Sequence, residues 1–187
     1  MHRRTFLRLI AGSAFAGILT ARAQFAKTPS SSSKTVEALQ RDWKLLLARD
    51  AKIASDATPV SMTDDGWQRV LSPAAYNVLR HEGTERAFTS PLNDEHRRGV
   101  FACAGCALPL FTSDMKFDSG TGWPSFFTTI PNVFVTKTDT KLLYPRTEYH
   151  CVKCGGHHGH VFDDGPQPTG QRWCNNGVAL RFIPLTT

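Results

Sequence analysis

The stretch TEYHCVKCGGHHGHVFDDGP, residues 147–166, decides how the rest of the chain is read. Its two flanks, 147–152 and 159–163, are short runs bounded by glycine, proline and aspartate, the texture of strands. Between them Cys151 and Cys154 form a C-x-x-C knuckle that presents two thiolates to one ion. Gly155-Gly156 permits the tight backbone such a knuckle needs.

Upstream, Cys103-Ala-Gly-Cys106 repeats the spacing, with 44 residues between the pairs. One C-x-x-C is weak evidence, but two matched ones supply the four ligands of a tetrahedral zinc site. The readings that compete are two disulfides or a redox pair, and a tighter set of Cys151, Cys154, His157 and His160. Further strands are expected at 99–103, 132–136, 172–175 and 178–183, each bounded by turn residues. The region beyond residue 98 therefore reads as a mostly β domain, with helices gathered on its N-terminal side. Ser72-Pro73 is a helix start, an N-cap followed by proline, and that helix should run to about Glu82 and stop at Gly83. A shorter one begins near Thr63 or Asp64 and runs through Val70. Residues 35–55 carry Leu39, Trp43, Leu46 and Leu47 at roughly helical spacing and are read as a helix.

The chain has 187 residues, 41% of them hydrophobic, a net charge of +6 and a mean hydropathy of −0.28. That is one soluble-type domain with additions at its ends. The pI near 9.3 invites a nucleic-acid partner. The first 23 residues remove the invitation. MHRRTFLRLIAGSAFAGILTARA has a basic start, an apolar run too short to span a bilayer comfortably, and a small-x-small site at Ala21-Arg22-Ala23. It resembles a twin-arginine export signal, so export to the periplasm or beyond is expected. An uncleaved membrane anchor is the alternative. Four of the 22 basic residues lie in this leader and no acid does, so the remainder carries 18 against 16, about +2. No basic stripe remains to favour nucleic acid, and membrane contact is expected only through the leader. Three segments follow: the leader 1–23, a linker and helical extension 24–60 opened by Ser30 to Ser33, and a domain at 61–187.

Four cysteines on a metal leave Cys174, in RWCNNG at 172–177. An extended 172–176 puts Arg172, Cys174 and Asn176 on one face and turns Trp173 away. A positive neighbour lowers a thiol's pKa, and the alternative is a buried inert cysteine. Three histidines within 157–160 suggest metal or proton chemistry. His160 and Phe162 share a face if 159–163 is a strand. SGTGWPSF at 119–126 is a glycine-rich turn that can hold the Trp123 indole rigidly at a pocket wall. Two rival classes remain. One is a zinc-ribbon binding module. The other is a catalytic metal site in the HHGH stretch.

These stretches together resemble the B-type methionine sulfoxide reductases. The resemblance runs from about Asp64 to Ile183 and includes YNVLRHEGTERAFTSPL, both C-x-x-C pairs, KFDSGTGWPSF, RTE at 146–148, HHGHVFDDGP and RWCNNGVALRF. It implies a fold of two small antiparallel sheets with a structural zinc on Cys103, Cys106, Cys151 and Cys154. It implies that Cys174 attacks the sulfur of the R epimer of methionine sulfoxide and is left as a sulfenic acid. His160, with His157, would bind and protonate the sulfoxide oxygen. Asn176 and Arg172 would assist, and Trp123 would wall the pocket, with Phe162 beside it. The chain departs from the family pattern at Thr121, where many relatives carry a resolving cysteine, and at His158 and Trp173, usually Leu and Tyr. An acidic residue often seen after GWPSF has no clear match near VTKTDT. Without a resolving thiol, a thioredoxin-like partner or a small thiol is expected to regenerate Cys174. The expected substrates are oxidised proteins or peptides, and the expected state is a monomer.

Overall fold

The structure is a computed structural model that describes residues 34–186 apart from Leu143; the expected leader lies outside the described residues. Three short helices precede the strands: α1 (Val36–Arg41), α2 (Asp64–Val70) and α3 (Pro73–His81). Each starts on a hydroxyl cap. The side chains of Thr35, Thr63 and Ser72 accept the N–H of Ala38, Gly66 and Ala75, satisfying donors that the first helical turn leaves free. Pro73 occupies the position after its cap, where a missing N–H costs nothing. α3 stops at His81, one residue short of expectation. Glu82 takes the left-handed conformation at φ 56° and Gly83 N–H returns to Asn77 O at 3.0 Å.

Residues 35–55 are not one helix. α1 ends at Arg41, a single 3-10 turn covers Trp43–Leu46, and the chain then passes through a turn at Arg49 and Asp50 without regular structure. The reason is tertiary. Ala54 N–H donates to Ala107 O at 2.9 Å and Val60 N–H donates to Lys153 O at 2.7 Å. Residues 54–60 are thereby strapped to both cysteine knuckles, and those two N–H groups are not available to a helix. Leu39 and Leu46 still bury their side chains, which is why the apolar spacing looked helical.

Nine strands follow, all paired antiparallel: β1 (Gly99–Cys103), β2 (Pro109–Thr112), β3 (Lys116–Phe117), β4 (Ser125–Phe126), β5 (Phe134–Asp139), β6 (Arg146–Cys151), β7 (His157–Phe162), β8 (Arg172–Asn175) and β9 (Leu180–Pro184). They form two sheets, ordered β2-β1-β9 and β3-β4-β8-β7-β6-β5. The fold is mainly β with two antiparallel sheets, as expected. β2 escaped the sequence reading because it opens on proline and is buried at every position, leaving no alternation to detect. β3 and β4 are two residues each.

Aromatic rings fill the interior. Phe111 and Phe126 stack with centroids 3.9 Å apart, and Phe101 meets Phe126 edge-on at 5.1 Å. Tyr149, fully buried, meets Phe134 and Trp173 edge-on at 4.7 and 4.9 Å. Trp173 is half-buried rather than internal, stacked on Phe134.

Between β6 and β7 the register slips. Tyr149 pairs with Gly159 and His150 pairs with His157, so His158 is an extra, bulged residue. Simple alternation sets His157 and His160 on opposite faces. The bulge returns them to one face, with their rings 5.4 Å apart, and drives His158 to the other, beside Tyr149 and Phe134.

Candidate active site and metal centre

The two knuckles meet. Cys103 Sγ lies 3.6 Å from Cys154 Sγ, Cys106 Sγ lies 3.5 Å from Cys151 Sγ, and all four sulfurs fall within 4.8 Å of one another. A disulfide requires about 2.05 Å, and all five cysteines are free. Four sulfurs around an ion at about 2.3 Å would be roughly 3.8 Å apart, so the spacing fits a metal rather than bonds. The three neighbouring cysteines, and then burial, hold the Cys103 thiol well above its ordinary range. A divalent cation supplies the positive charge that lets such a cluster ionise. The alternative set with His157 and His160 is not assembled, because β7 carries His157 to a cluster with Glu148 and His150 and sets His160 against Asp139.

Cys174 stands on β8 directly opposite His160 on β7. Opposed residues on one face have Cβ atoms about 4.5–5.5 Å apart. Gly159 makes this junction possible, since a Cβ there would run into the Cys174 carbonyl oxygen. A cavity of about 120 Å³ opens over the pair. It is walled by Trp123, Phe162, Arg146, Thr84 and the two asparagines Asn175 and Asn176.

Cys174 is half-buried, and burial pushes its thiol up. The Arg172 guanidinium and the Thr121 hydroxyl beside the sulfur pull it down without cancelling that rise. Burial outweighs both, so the resting sulfur is a thiol. Arg172 is buried, clasped by Asp164 through two bonds of 2.8 and 2.9 Å, with its guanidinium 4.3 Å from the Phe162 ring. It braces the site from beside the cavity and is not part of its wall.

His160 Nε2 donates to Asp139 Oδ2 at 2.8 Å. Asp139 is buried and also holds Arg146 Nη2 at 2.5 Å. The Lys141 N–H and then His160 keep its carboxyl well below the usual range, so it is ionised. Burial lowers His160 while Asp139 opposes this, and the net direction is down. The resting imidazole is neutral. Asp139 lies in the VTKTDT segment, where sequence reading found no acidic match. His157 is buried, lies outside the cavity wall and turns Nδ1 toward Glu148 Oε2 at 3.0 Å.

Asn176 reaches the cavity, but its amide is largely engaged. Oδ1 accepts Glu85 N–H at 2.9 Å and Nδ2 donates to His158 O at 3.0 Å. Glu85, a residue sequence reading did not single out, organises this side of the site. Its carbonyl accepts the Trp123 indole N–H at 3.1 Å, and its carboxylate accepts the N–H groups of Gly177 and Val178. The only signal was its place inside the YNVLRHEGTERAFTSPL stretch.

A SelR domain model matches residues 71–184, from the end of α2 to the last strand. The peptide methionine sulfoxide reductase MsrB of Thiobacillus denitrificans is 50% identical over 129 residues, covering 68% of this chain and 98% of that protein. The MsrB of Methanosarcina barkeri is 49% identical over 124 residues, 66% of this chain and 87% of its own length. Peptide methionine sulfoxide reductase B1, chloroplastic, of Arabidopsis thaliana is 48% identical over 126 residues, 67% and 62% of the two chains. With the family model spanning well over half the chain, and relatives this similar, the chain belongs to the SelR-domain family of peptide methionine sulfoxide reductases of the B type.

Proposed function

We propose that this protein reduces the R epimer of methionine sulfoxide, in oxidised proteins or peptides, to methionine. The observation that carries the reading is the opposition of Cys174 and His160 across one small cavity walled by Trp123 and Phe162. A sulfoxide methyl group fits the apolar wall, while its oxygen needs a proton before the sulfur–oxygen bond can break.

A neutral thiol facing a neutral imidazole defines the proton path. His160 takes the Cys174 proton as the sulfur attacks the sulfoxide sulfur. The imidazolium, stabilised by Asp139, then returns that proton to the sulfoxide oxygen. The sulfur–sulfur bond made by the attack then breaks as the hydroxyl transfers to the Cys174 sulfur, which is oxidised by two electrons to the sulfenic acid while the thioether, reduced by two electrons, leaves. One thiol of a thioredoxin-like reductant condenses with the sulfenic acid and releases water. Its second thiol breaks the mixed disulfide and restores Cys174. An external reductant is needed because the other four cysteines serve the metal centre. Zinc, which all-thiolate tetrahedral ligation favours, would be held there by Cys103, Cys106, Cys151 and Cys154. Four protein ligands would leave no open position, so the ion would clamp two loops, worth on the order of 10 kcal/mol.

The domain at 61–187 acts as a monomer after export by the leader at 1–23, with the linker and strap between them. Purified protein assayed with both epimers of a methionine-sulfoxide peptide, with and without thioredoxin, tests the reading. Consumption of one epimer, abolished by Cys174→Ser with zinc still at one per chain, is expected. Equal turnover by the Cys174→Ser variant would overturn it.

A further inference from the structure

A second donor cluster lies on the same face as His160 but apart from the four thiols. Glu148 and His150, two positions apart on β6, meet His157 across the bulge on β7. One oxygen or nitrogen from each falls within 4.8 Å of the others. Glu148 Oε1 is taken by Lys137 Nζ at 3.0 Å. Glu148 Oε2 faces both rings, 3.4 Å from His150 Nε2 and 3.0 Å from His157 Nδ1.

These contacts are close, but they are not hydrogen bonds. His150 Nε2 and both nitrogens of His157 are buried without a hydrogen-bond partner. His157 is 1% exposed, so solvent does not serve it. The His150 tautomer is fixed from behind, because Nδ1 lies 3.2 Å from Gly155 O, an acceptor only. Nδ1 therefore carries a hydrogen, which leaves Nε2 as the nitrogen facing the cluster. In the neutral ring that nitrogen is an acceptor 3.4 Å from a carboxylate oxygen, which also offers only lone pairs. Two acceptors at this distance repel unless a cation lies between them. A ring nitrogen whose other nitrogen is held by a backbone carbonyl is the usual arrangement of a metal-binding histidine. Ligands bonded to one ion at about 2.0–2.1 Å in tetrahedral order lie roughly 3.4 Å apart, close to the spacings seen.

We infer that Glu148, His150 and His157 form a second divalent-cation site, with two nitrogens and one oxygen as donors. Imidazole-rich sites of this kind suit zinc, nickel, cobalt or copper over magnesium or calcium. Three protein donors leave a position for solvent, and the site binds more weakly than the four thiolates. An ion here fixes His157, whose ring is 5.4 Å from that of His160.

The full chain with its thiolate site filled by zinc is titrated with cobalt(II) and followed by visible absorption and metal analysis. One further equivalent is expected, with weak bands and without the intense sulfur-to-metal absorption of a thiolate complex. His150→Gln and Glu148→Gln should each reduce uptake from two metal ions per chain to one, the zinc. Nitrogen NMR of the unsubstituted chain gives a readout independent of how the variants fold. A second equivalent of zinc should shift His150 Nε2 and His157 Nδ1. Absence of that second equivalent, unmoved histidine resonances, or undiminished uptake by folded variants overturns the site.

Discussion

Cys174 and His160 are directly opposed residues on neighbouring antiparallel strands, so rigid backbone rather than a loop sets their separation. Sites built on strands hold their geometry more tightly than sites on loops. Replacing His160 by glutamine keeps the approximate shape and removes proton transfer. A fall in kcat of about 10²–10⁴ is expected, with zinc content unchanged. Asp139→Asn removes the carboxylate that favours imidazolium, so the His160 pKa falls further. The acid limb of the rate profile should move to lower pH, and the plateau should drop. A plateau loss with an unmoved limb would show that Asp139 only supports the fold.

Glu85 ties two residues of the cavity wall, Trp123 and Asn176, to the turn at Gly177 and Val178 through its carbonyl, its N–H and its carboxylate. Glu85→Ala leaves the N–H groups of Gly177 and Val178 unpartnered, a cost of about 1–3 kcal/mol each where they are buried. The Trp123 and Asn176 contacts are made by backbone that the carboxylate pins. KM should therefore rise more than kcat falls. Glu85→Gln keeps one acceptor and should recover part of both, as denaturation and steady-state kinetics will show.

How much of this was legible in sequence depended on the range of the signal. The matched C-x-x-C spacing identified the metal centre, because knuckle geometry is local. β1 and β8 were readable end to end. The common face of His157 and His160 was not, since it depends on a bulge at His158 that no periodicity announces. The roles of Glu85 and Asp139 were hidden for the same reason. Each acts on residues more than 20 positions away: Asp139 reaches His160 across the sheet from β5, and Glu85 reaches Asn176 from the loop after α3. The 35–55 segment misled because its apolar spacing is real while its backbone breaks into α1, a 3-10 turn and a strap whose Ala54 N–H goes to Ala107 O.

Thr121 places a hydroxyl beside the Cys174 sulfur, at the position where many relatives carry a resolving cysteine. Thr121→Cys puts a thiol within reach of the sulfenic acid. After one turnover without reductant, peptide mapping should find a disulfide between Cys174 and the introduced thiol in the variant, and none involving Cys174 in the parent. The variant's thioredoxin dependence should shift from attack on a sulfenic acid to attack on a disulfide. A disulfide from Cys174 to any metal-centre cysteine in the parent would contradict the division of labour among the sulfurs.

His158 is the bulged residue, fully buried, with neither ring nitrogen hydrogen-bonded. Burial takes its pKa from 6.5 down to about 4. A depressed histidine binds protons more readily unfolded than folded, so stability is full above the unfolded value and is lost as pH falls from there toward the folded one. At about pH 5.5 the loss from this residue alone is roughly 1 kcal/mol, rising to about 3 kcal/mol below the folded pKa. Leucine has a similar size and no nitrogen to desolvate. His158→Leu should therefore be more stable at neutral pH, by about 1–3 kcal/mol if both nitrogens carry a desolvation cost. The gap should also widen on acidification. Urea denaturation at pH 7.5 and at pH 5.5 reads both effects, with zinc content measured in parallel so that metal loss is not mistaken for histidine titration. A constant difference between the two pH values would mean that the ring finds a proton partner in solution and that burial does not govern its charge.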